Sequence, residues 1–318
     1  MKLILAGPYP AGTKEKFETL LNGIEIIETK SQREYDELTE GDLIIVRILK
    51  TPEATLANKK ELKAIIRWGA GYDSVDIAAA GKRKILVATM PGVNSYAVSE
   101  LAVALMISVG RKIVENNEIT HAGIWDNKIF ADRMVSLNHK QVGIIGGGNI
   151  WRKVAGQVQA FGARTVYFDP YRLSEAMEQE YRMEYLPLNE LLASSDVVTL
   201  HVPLLESTRH MIGKKELAGM KNGAIIINTA RGGLIDDKAL EEAVRSGKIA
   251  GAGLDCVENE ALEENPLAKM EQVIITPHMG GTTSDLGEEM VPRIVEQILQ
   301  YMAKGTLDHV VNQDYISE

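Results

Sequence analysis

Residues 140–170, KQVGIIGGGNIWRKVAGQVQAFGARTVYFDP, constrain this chain more than any other stretch. Gln141–Ile145 is a short apolar, β-branched run of the kind that forms a buried strand. It meets Gly146-Gly147-Gly148, after which a helical pattern runs from Ile150 to Phe161 and Gly162 closes it. A second strand, Thr165–Phe168, ends on Asp169. Strand, glycine turn, helix, strand and acid follow one another as in a parallel βαβ unit.

That unit has the chemistry of a dinucleotide site. Gly146 permits the tight turn out of the strand, and Gly148 lets backbone approach a pyrophosphate. The free N–H groups and the dipole of the helix N-terminus favour an anion there. Asp169 is placed to accept hydrogen bonds from a ribose diol, and its charge opposes a 2′-phosphate, which favours NAD over NADP. Arg172 lies close enough in sequence to soften that opposition. The third glycine position of the pattern is occupied by Trp151. A glycine there normally allows close helix–strand packing, so either the helix is displaced or the indole points away from the strand. Cofactor affinity is the first property this residue puts in question.

A length of 318 residues suits two domains, although a single barrel can also be this size. The net charge of −9 argues against a nucleic-acid partner held through phosphates. The one cysteine, Cys256, excludes an intramolecular disulfide and suits a reducing, cytoplasmic setting. The apolar run at the start is too short for a signal peptide, and no run is long enough to span a membrane. No metal site is expected.

The first hundred residues alternate strand and helix signals. Strands are expected at Lys2–Ala6, Ile24–Glu28, Leu43–Arg47, Ala64–Trp68 and Ile85–Ala88, with helices clearest at Lys14–Leu21 and Pro52–Leu62. A long helical pattern from Ala97 to about Asn117 is apolar nearly all round and could carry the chain into a second domain. Beyond Asp169, strands are expected at Val197–Val202, Ala224–Asn228, Ala252–Asp255 and Val273–Thr276, making six with the first two. A final helix, Val291–Ala303, returns to the first domain. The expected fold is α/β: two doubly wound parallel-sheet domains, a Rossmann dinucleotide-binding domain over 98–286 and a flavodoxin-like substrate domain over 1–97 plus 287–318.

In such sheets ligands meet the loops at the carboxyl ends of strands. In the second domain those loops carry His201, Pro203, Thr229, Ala230, Asp255 and Gly280 towards the cofactor. In the first they carry Arg47, with Lys50 nearby, and Gly69-Ala70-Gly71, whose N–H groups could hold a carboxylate; an ordinary turn is the alternative. An arginine fork with a lysine could also hold a phosphate; the alternative is that both are surface charges or that Arg47 only orients the carboxylate loop.

Three ionisable residues on strand-end loops suit carbonyl reduction: Arg231, Glu260 and His278. A developing alkoxide needs a positive group. A proton donor near neutrality is what histidine provides, and a neighbouring carboxylate favours its charged form. Taken singly, Arg231 reads equally as a surface charge, Glu260 as part of a solvated acidic run, and His278 as a capped or core histidine. His139 and His210 read as surface residues.

GAGYDSVD at 69–76, VGIIGGGNI at 142–150, DVVTLHVPL at 196–204, INTARGGLID at 227–236, GAGLDCVENE at 251–260 and TPHMGG at 276–281 resemble the NAD-dependent D-2-hydroxyacid dehydrogenases nearly end to end. This group includes phosphoglycerate dehydrogenase and glycerate dehydrogenase. The resemblance implies Arg231 as ligand of the substrate carboxylate and carbonyl, Glu260 as acid partner and His278 as proton donor. It implies cofactor contacts at Asn149, Ile150, Asp169, Thr229 and Asp255, substrate binding at Ala70 and Gly71, and a homodimer built through the cofactor domain. Arg47 matches an arginine of phosphoglycerate dehydrogenases. The implied substrate is a short polar 2-hydroxy or 2-keto acid, with 3-phosphoglycerate, glycerate and hydroxypyruvate as candidates. The chain departs from the family pattern at Trp151, at Ala261 in place of proline, at Thr89 in place of asparagine and at His139 in place of glycine. Some corepressors also resemble this family, so a non-catalytic NAD(H)-responsive binding protein is the competing expectation.

Overall fold

The computed structural model describes residues 1–258, 260 and 265–316; Ala261, one of the departures above, lies outside them. The chain divides into two compact units, Met1–Asn94 with Thr283–Glu318, and Ser95–Thr282.

In the first unit five β-branched runs form parallel strands: β1 (Lys2–Ala6), β2 (Glu25–Thr29), β3 (Leu43–Val46), β4 (Ala64–Arg67) and β5 (Leu86–Ala88). Four crossover helices join them: α1 (Thr13–Leu20), α2 (Gln32–Glu37), α3 (Glu53–Ala57) and α4 (Ile77–Lys82). The order β2-β1-β3-β4-β5 is that of a flavodoxin-like doubly wound sheet, with its switch point between β1 and β3. The expected helix Pro52–Leu62 is shorter because Lys59 turns inward. Its Nζ, buried under Tyr35, donates to the carbonyls of Tyr35 and Leu38 at 2.8 and 2.7 Å, which ties the chain to the end of α2.

The second unit opens with α5 (Ser95–Arg111), followed after one residue by α6 (Ile113–His121). The single helix expected to Asn117 is interrupted at Lys112, whose φ of 52° breaks the helical run. The sheet comprises β6 (Gln141–Ile145), β7 (Arg164–Phe168), β8 (Glu184–Tyr185), β9 (Val197–Leu200), β10 (Ala224–Asn228), β11 (Ile249–Leu254) and β12 (Val273–Ile275). Between them run α7 (Asn149–Ala160), α8 (Glu175–Glu180), α9 (Leu188–Ser194), α10 (Lys214–Gly219) and α11 (Asp237–Arg245). All neighbours are parallel, in the order β12-β11-β10-β9-β6-β7-β8. Seven strands among the described residues correct the expected six. The addition, β8, is two residues long, too short for alternation or composition to reveal. The switch point lies at β6, flanked by β7 and β9, and the glycine turn begins at its carboxyl end.

The last helix, α12 (Leu286–Lys304), belongs to the first unit. Its Met290, Val291, Ile294 and Ile298 share a core with Leu3, Leu5, Phe17 and Leu43. Burying such aliphatic chains contributes on the order of 1.5–3 kcal/mol each, so this helix is part of the sheet's support and not an appendage.

Candidate active site

The glycine turn after β6 is built for close approach. Gly146 has φ +112°, and a Cβ on it would lie 2.5 Å from the His201 carbonyl oxygen. Only glycine fits both constraints. Gly148 caps α7 without any side-chain hydrogen bond, and a Cβ on it would meet nothing within 4 Å. Gly148 and Asn149 are exposed and Ile150 is partly buried. The start of this helix therefore combines open space with N–H groups that no side chain caps, the arrangement an anion needs. Asp169, at the end of β7, accepts from the Gly147 N–H at 2.6 Å and the Tyr171 N–H at 2.8 Å, which fixes the carboxylate against the turn. These features fit a dinucleotide.

Trp151 does not point away from the sheet, which removes one of the two alternatives for it. Its indole is buried in the core between α7 and the sheet, stacked on Tyr167 of β7 with centroids 6.4 Å apart and edge-on to Tyr181 at 5.1 Å. Val154, Ala155, Val158 and Ala163 belong to the same buried cluster.

The loop after β9 carries His201 and the exposed Pro203. His201 Nε2 lies 3.0 Å from Thr199 Oγ1, while Nδ1 is buried with no protein partner. Burial pushes this imidazole down to about 3, whereas an unfolded histidine titrates at about 6.5. Between those values the unfolded chain binds the extra proton, so stability falls as pH falls, by about 1.4 kcal/mol per pH unit from this group. Urea denaturation of His201→Asn between pH 6 and pH 4 should show that much less slope; an unchanged slope would assign the acid sensitivity elsewhere.

After β10, Asn228 Oδ1 accepts from Ala230 N–H at 3.0 Å and its Nδ2 donates to the Arg231 carbonyl at 2.8 Å. Arg231 Nη1 donates to the Ala230 carbonyl at 2.7 Å, and Thr229 and Ala230 are buried. After β11, the carboxylate of buried Asp255 organises the loop that follows β12. Oδ1 accepts from Thr276 Oγ1 at 2.6 Å and Met279 N–H at 2.8 Å, and Oδ2 accepts from Gly280 N–H at 2.8 Å. A Cβ on Gly280 would lie 2.9 Å from that Oδ2. His278 sits inside this clamp at φ +51°, its N–H donating to the Asp255 and Thr276 carbonyls. Its Nδ1 is 3.5 Å from Glu260 Oε1, and both side chains are well exposed. The sequence brings His278 and Glu260 together and assigns Asp255 to the cofactor; in the structure the Asp255 carboxylate holds the histidine loop through these three bonds.

In the first unit, Arg47 follows β3 and its Nη1 donates to the Pro8 carbonyl at 2.5 Å, bridging the loops of the β1/β3 switch point. Burial lowers its guanidinium from the usual range. Lys50 is exposed; its backbone N–H donates to Gln32 Oε1 and its carbonyl accepts from Gln32 Nε2. Ala70 is exposed and Gly71 partly so. Among the described residues, no cluster of His, Cys, Asp or Glu is placed to hold a metal ion, and no helix is long and apolar enough to cross a membrane.

Residues 103–280 match the family model of the D-isomer specific 2-hydroxyacid dehydrogenase, NAD binding domain. The chain belongs to this family. The D-3-phosphoglycerate dehydrogenase of Methanocaldococcus jannaschii is 37% identical over 89% of the chain, which spans about half (54%) of that enzyme's length. The hydroxypyruvate reductase of Thermotoga maritima is 37% identical over 90% of this chain and 94% of its own. Among solved structures, a glyoxylate reductase from Paecilomyes thermophila superposes with a TM-score of 0.84 at 32% identity, covering 99% of each chain. The residues matched by the NAD-binding model fall within the second unit, Ser95–Thr282.

Two supporting residues near the expected site loops carry no sequence signal. Arg67 at the end of β4 donates from Nε to the Gly71 carbonyl and from Nη1 to the Val46 carbonyl, both at 2.9 Å, and so holds the Gly69–Gly71 loop. Asp237 Oδ2 accepts from Glu258 N–H at 3.0 Å and Asn265 Nδ2 at 3.1 Å, on either side of Glu260 in the chain. Arg67 also reaches Val46, 21 residues away, and both partners of Asp237 lie more than 20 residues on, so no local pattern marks either residue. His139, where the family pattern has glycine, holds φ +59°.

Proposed function

We propose that the chain is an NAD-dependent D-2-hydroxyacid dehydrogenase, transferring a hydride between NAD(H) and a short polar 2-hydroxy or 2-keto acid. The observation that carries this reading is the His278–Glu260 pair, with His278 on a loop clamped by Asp255, inside a unit matching the family's NAD-binding model. Gly146, Gly148, Asn149 and Ile150 hold the pyrophosphate at the start of α7, and Asp169 holds the ribose. His201, Pro203, Thr229, Ala230, Asp255 and Gly280 complete the cofactor loops. When bound, NAD(H) supplies or accepts the hydride.

The chain's own residues handle the charge and the proton. With Nδ1 facing Glu260, His278 carries the exchangeable proton on Nε2. It gives that proton to the substrate oxygen in reduction and takes it from the hydroxyl in oxidation. The Glu260 carboxylate stabilises the imidazolium. Arg231 presents a planar fork to the substrate carboxylate and carbonyl oxygen. The N–H groups of Ala70 and Gly71 hold the carboxylate, with Arg47 as a further substrate ligand. Hydroxypyruvate, glycerate and 3-phosphoglycerate are the candidate acids. The exposed apolar side chains of Ile113, Val114, Ile124, Trp125, Ile129 and Val135, with Trp125 at 92% exposure, support a homodimer built through the NAD-binding unit. A reducing cytoplasm suits Cys256, which burial makes a poor nucleophile by pushing its thiol up to about 12.

Steady-state assays with hydroxypyruvate, glyoxylate and 3-phosphohydroxypyruvate test this. At least one acid should turn over, with kcat/KM for NADH at least about tenfold above NADPH, equivalent to ~1.4 kcal/mol. Equal values for the two cofactors would remove the role given to Asp169. NADH binding without turnover of any of these acids would favour a non-catalytic NAD(H)-responsive protein. The relatives named above are dehydrogenases and reductases, which supports the enzyme.

A further inference from the structure

Arg172, the arginine nearest Asp169 in sequence, is already committed. Its Nε and Nη2 donate to Glu178 Oε1 and Oε2 at 2.8 and 2.9 Å, a two-bond fork that uses both carboxylate oxygens. Its guanidinium carbon lies 5.2 Å from the Tyr185 ring centroid. Glu178 is itself anchored, with its side chain only 13% exposed. Its Oε1 also accepts from Tyr167 Oη at 2.6 Å, and that same hydroxyl accepts from the Leu173 N–H at 3.0 Å. Tyr167 is buried and stacked on Trp151. The arginine is exposed but held by a carboxylate that the core holds in turn.

We propose that Glu178 is a specificity-determining residue for the cofactor: its two-bond pair with Arg172 withholds that guanidinium from a ribose 2′-phosphate. A free arginine beside the ribose acid would neutralise Asp169 and offer the planar donor fork a phosphate prefers. Paired with Glu178, Arg172 contributes no net charge, and Asp169 leaves that end of the site negative. The inference rests on the NAD reading of Asp169 given above.

Calorimetric titration of NADH and NADPH into the wild type, Glu178→Gln, Arg172→Ala and the double variant tests it, with kcat/KM for both cofactors alongside. Glutamine keeps an acceptor for Tyr167, so the variant should retain its thermal midpoint. Glu178→Gln should raise NADPH affinity relative to NADH about tenfold, the scale of one charge-assisted hydrogen bond. Arg172→Ala alone should leave NADPH affinity near wild type, and the double variant should lose the gain. A Glu178→Gln protein with the wild-type ratio overturns the proposal, as does a gain that persists in the double variant. If Glu178→Gln does not fold, Arg172→Ala still decides: a clear loss of NADPH affinity there would mean the arginine already serves the phosphate. Wild type binding both cofactors equally would overturn the Asp169 reading itself, whereas a wild type that prefers NADH with an unshifted Glu178→Gln overturns only the role of Glu178.

Discussion

His278→Ala is expected to lower kcat for keto-acid reduction by about 10²–10⁴-fold at neutral pH, the usual contribution of a general acid. NADH binding should change little. The loop around the histidine is fixed by groups other than its ring: Thr276 Oγ1 and the N–H groups of Met279 and Gly280, all on Asp255. Truncating the imidazole therefore removes the proton donor and leaves its platform. The backbone there has φ +51°, so His278→Asn is a useful second variant, because asparagine tolerates this conformation better than alanine. Both should lose activity alike. Glu260→Gln should cost less, since it removes the partner and spares the donor. Turnover close to wild type in His278→Ala, with NADH binding intact, would sink the assignment.

The β6–α7–β7 unit was legible because each part has a local cause: a β-branched run, a glycine turn, an amphipathic helix and a terminal acid. The strand-end placement of Arg231 and His278 followed from the same alternation. What escaped has non-local causes. β8 exists because Tyr185 pairs with Tyr167 across the sheet edge, and two residues carry no periodicity. The break at Lys112 is a single backbone angle inside a continuous apolar pattern. Arg67 and Asp237 reach partners more than 20 residues away, and Glu178 is anchored by Tyr167 of the sheet, so neighbouring residues alone do not distinguish them from surface charges. Asp255 was visible as a strand-end acid, but its attachment to the loop of His278 requires β11 and β12 side by side. The resemblance to a family supplied roles for residues; it did not reveal which groups hold them in place.

Trp151→Ala should destabilise the protein by about 3–5 kcal/mol, the range for truncating a buried large aromatic. The sequence pattern invites the opposite expectation, since a small residue at this position is what a dinucleotide turn usually carries. Here the core has been built around the indole. It is buried in one cluster with Val154, Ala155 and Val158 of α7, and it makes two ring contacts, with Tyr167 of β7 and with Tyr181. Alanine would leave a cavity whose lining loses its packing partners, and glycine would add a helix-propensity cost of about 1 kcal/mol. Trp151→Phe separates volume from polarity. The indole Nε1 is buried with no hydrogen-bond partner, so phenylalanine removes an unsatisfied donor while keeping most of the apolar volume. Its cost should be well below that of alanine. The effect should also reach the cofactor, because Trp151 lies in the first turn of α7, next to the N–H groups proposed to hold the pyrophosphate. Alanine should therefore weaken NADH binding, not tighten it. Urea denaturation of the three variants, with calorimetric NADH titration of those that fold, measures both effects. A Trp151→Ala loss under about 1 kcal/mol, or tighter NADH binding in that variant, would show that the indole is tolerated in this core and does not support it.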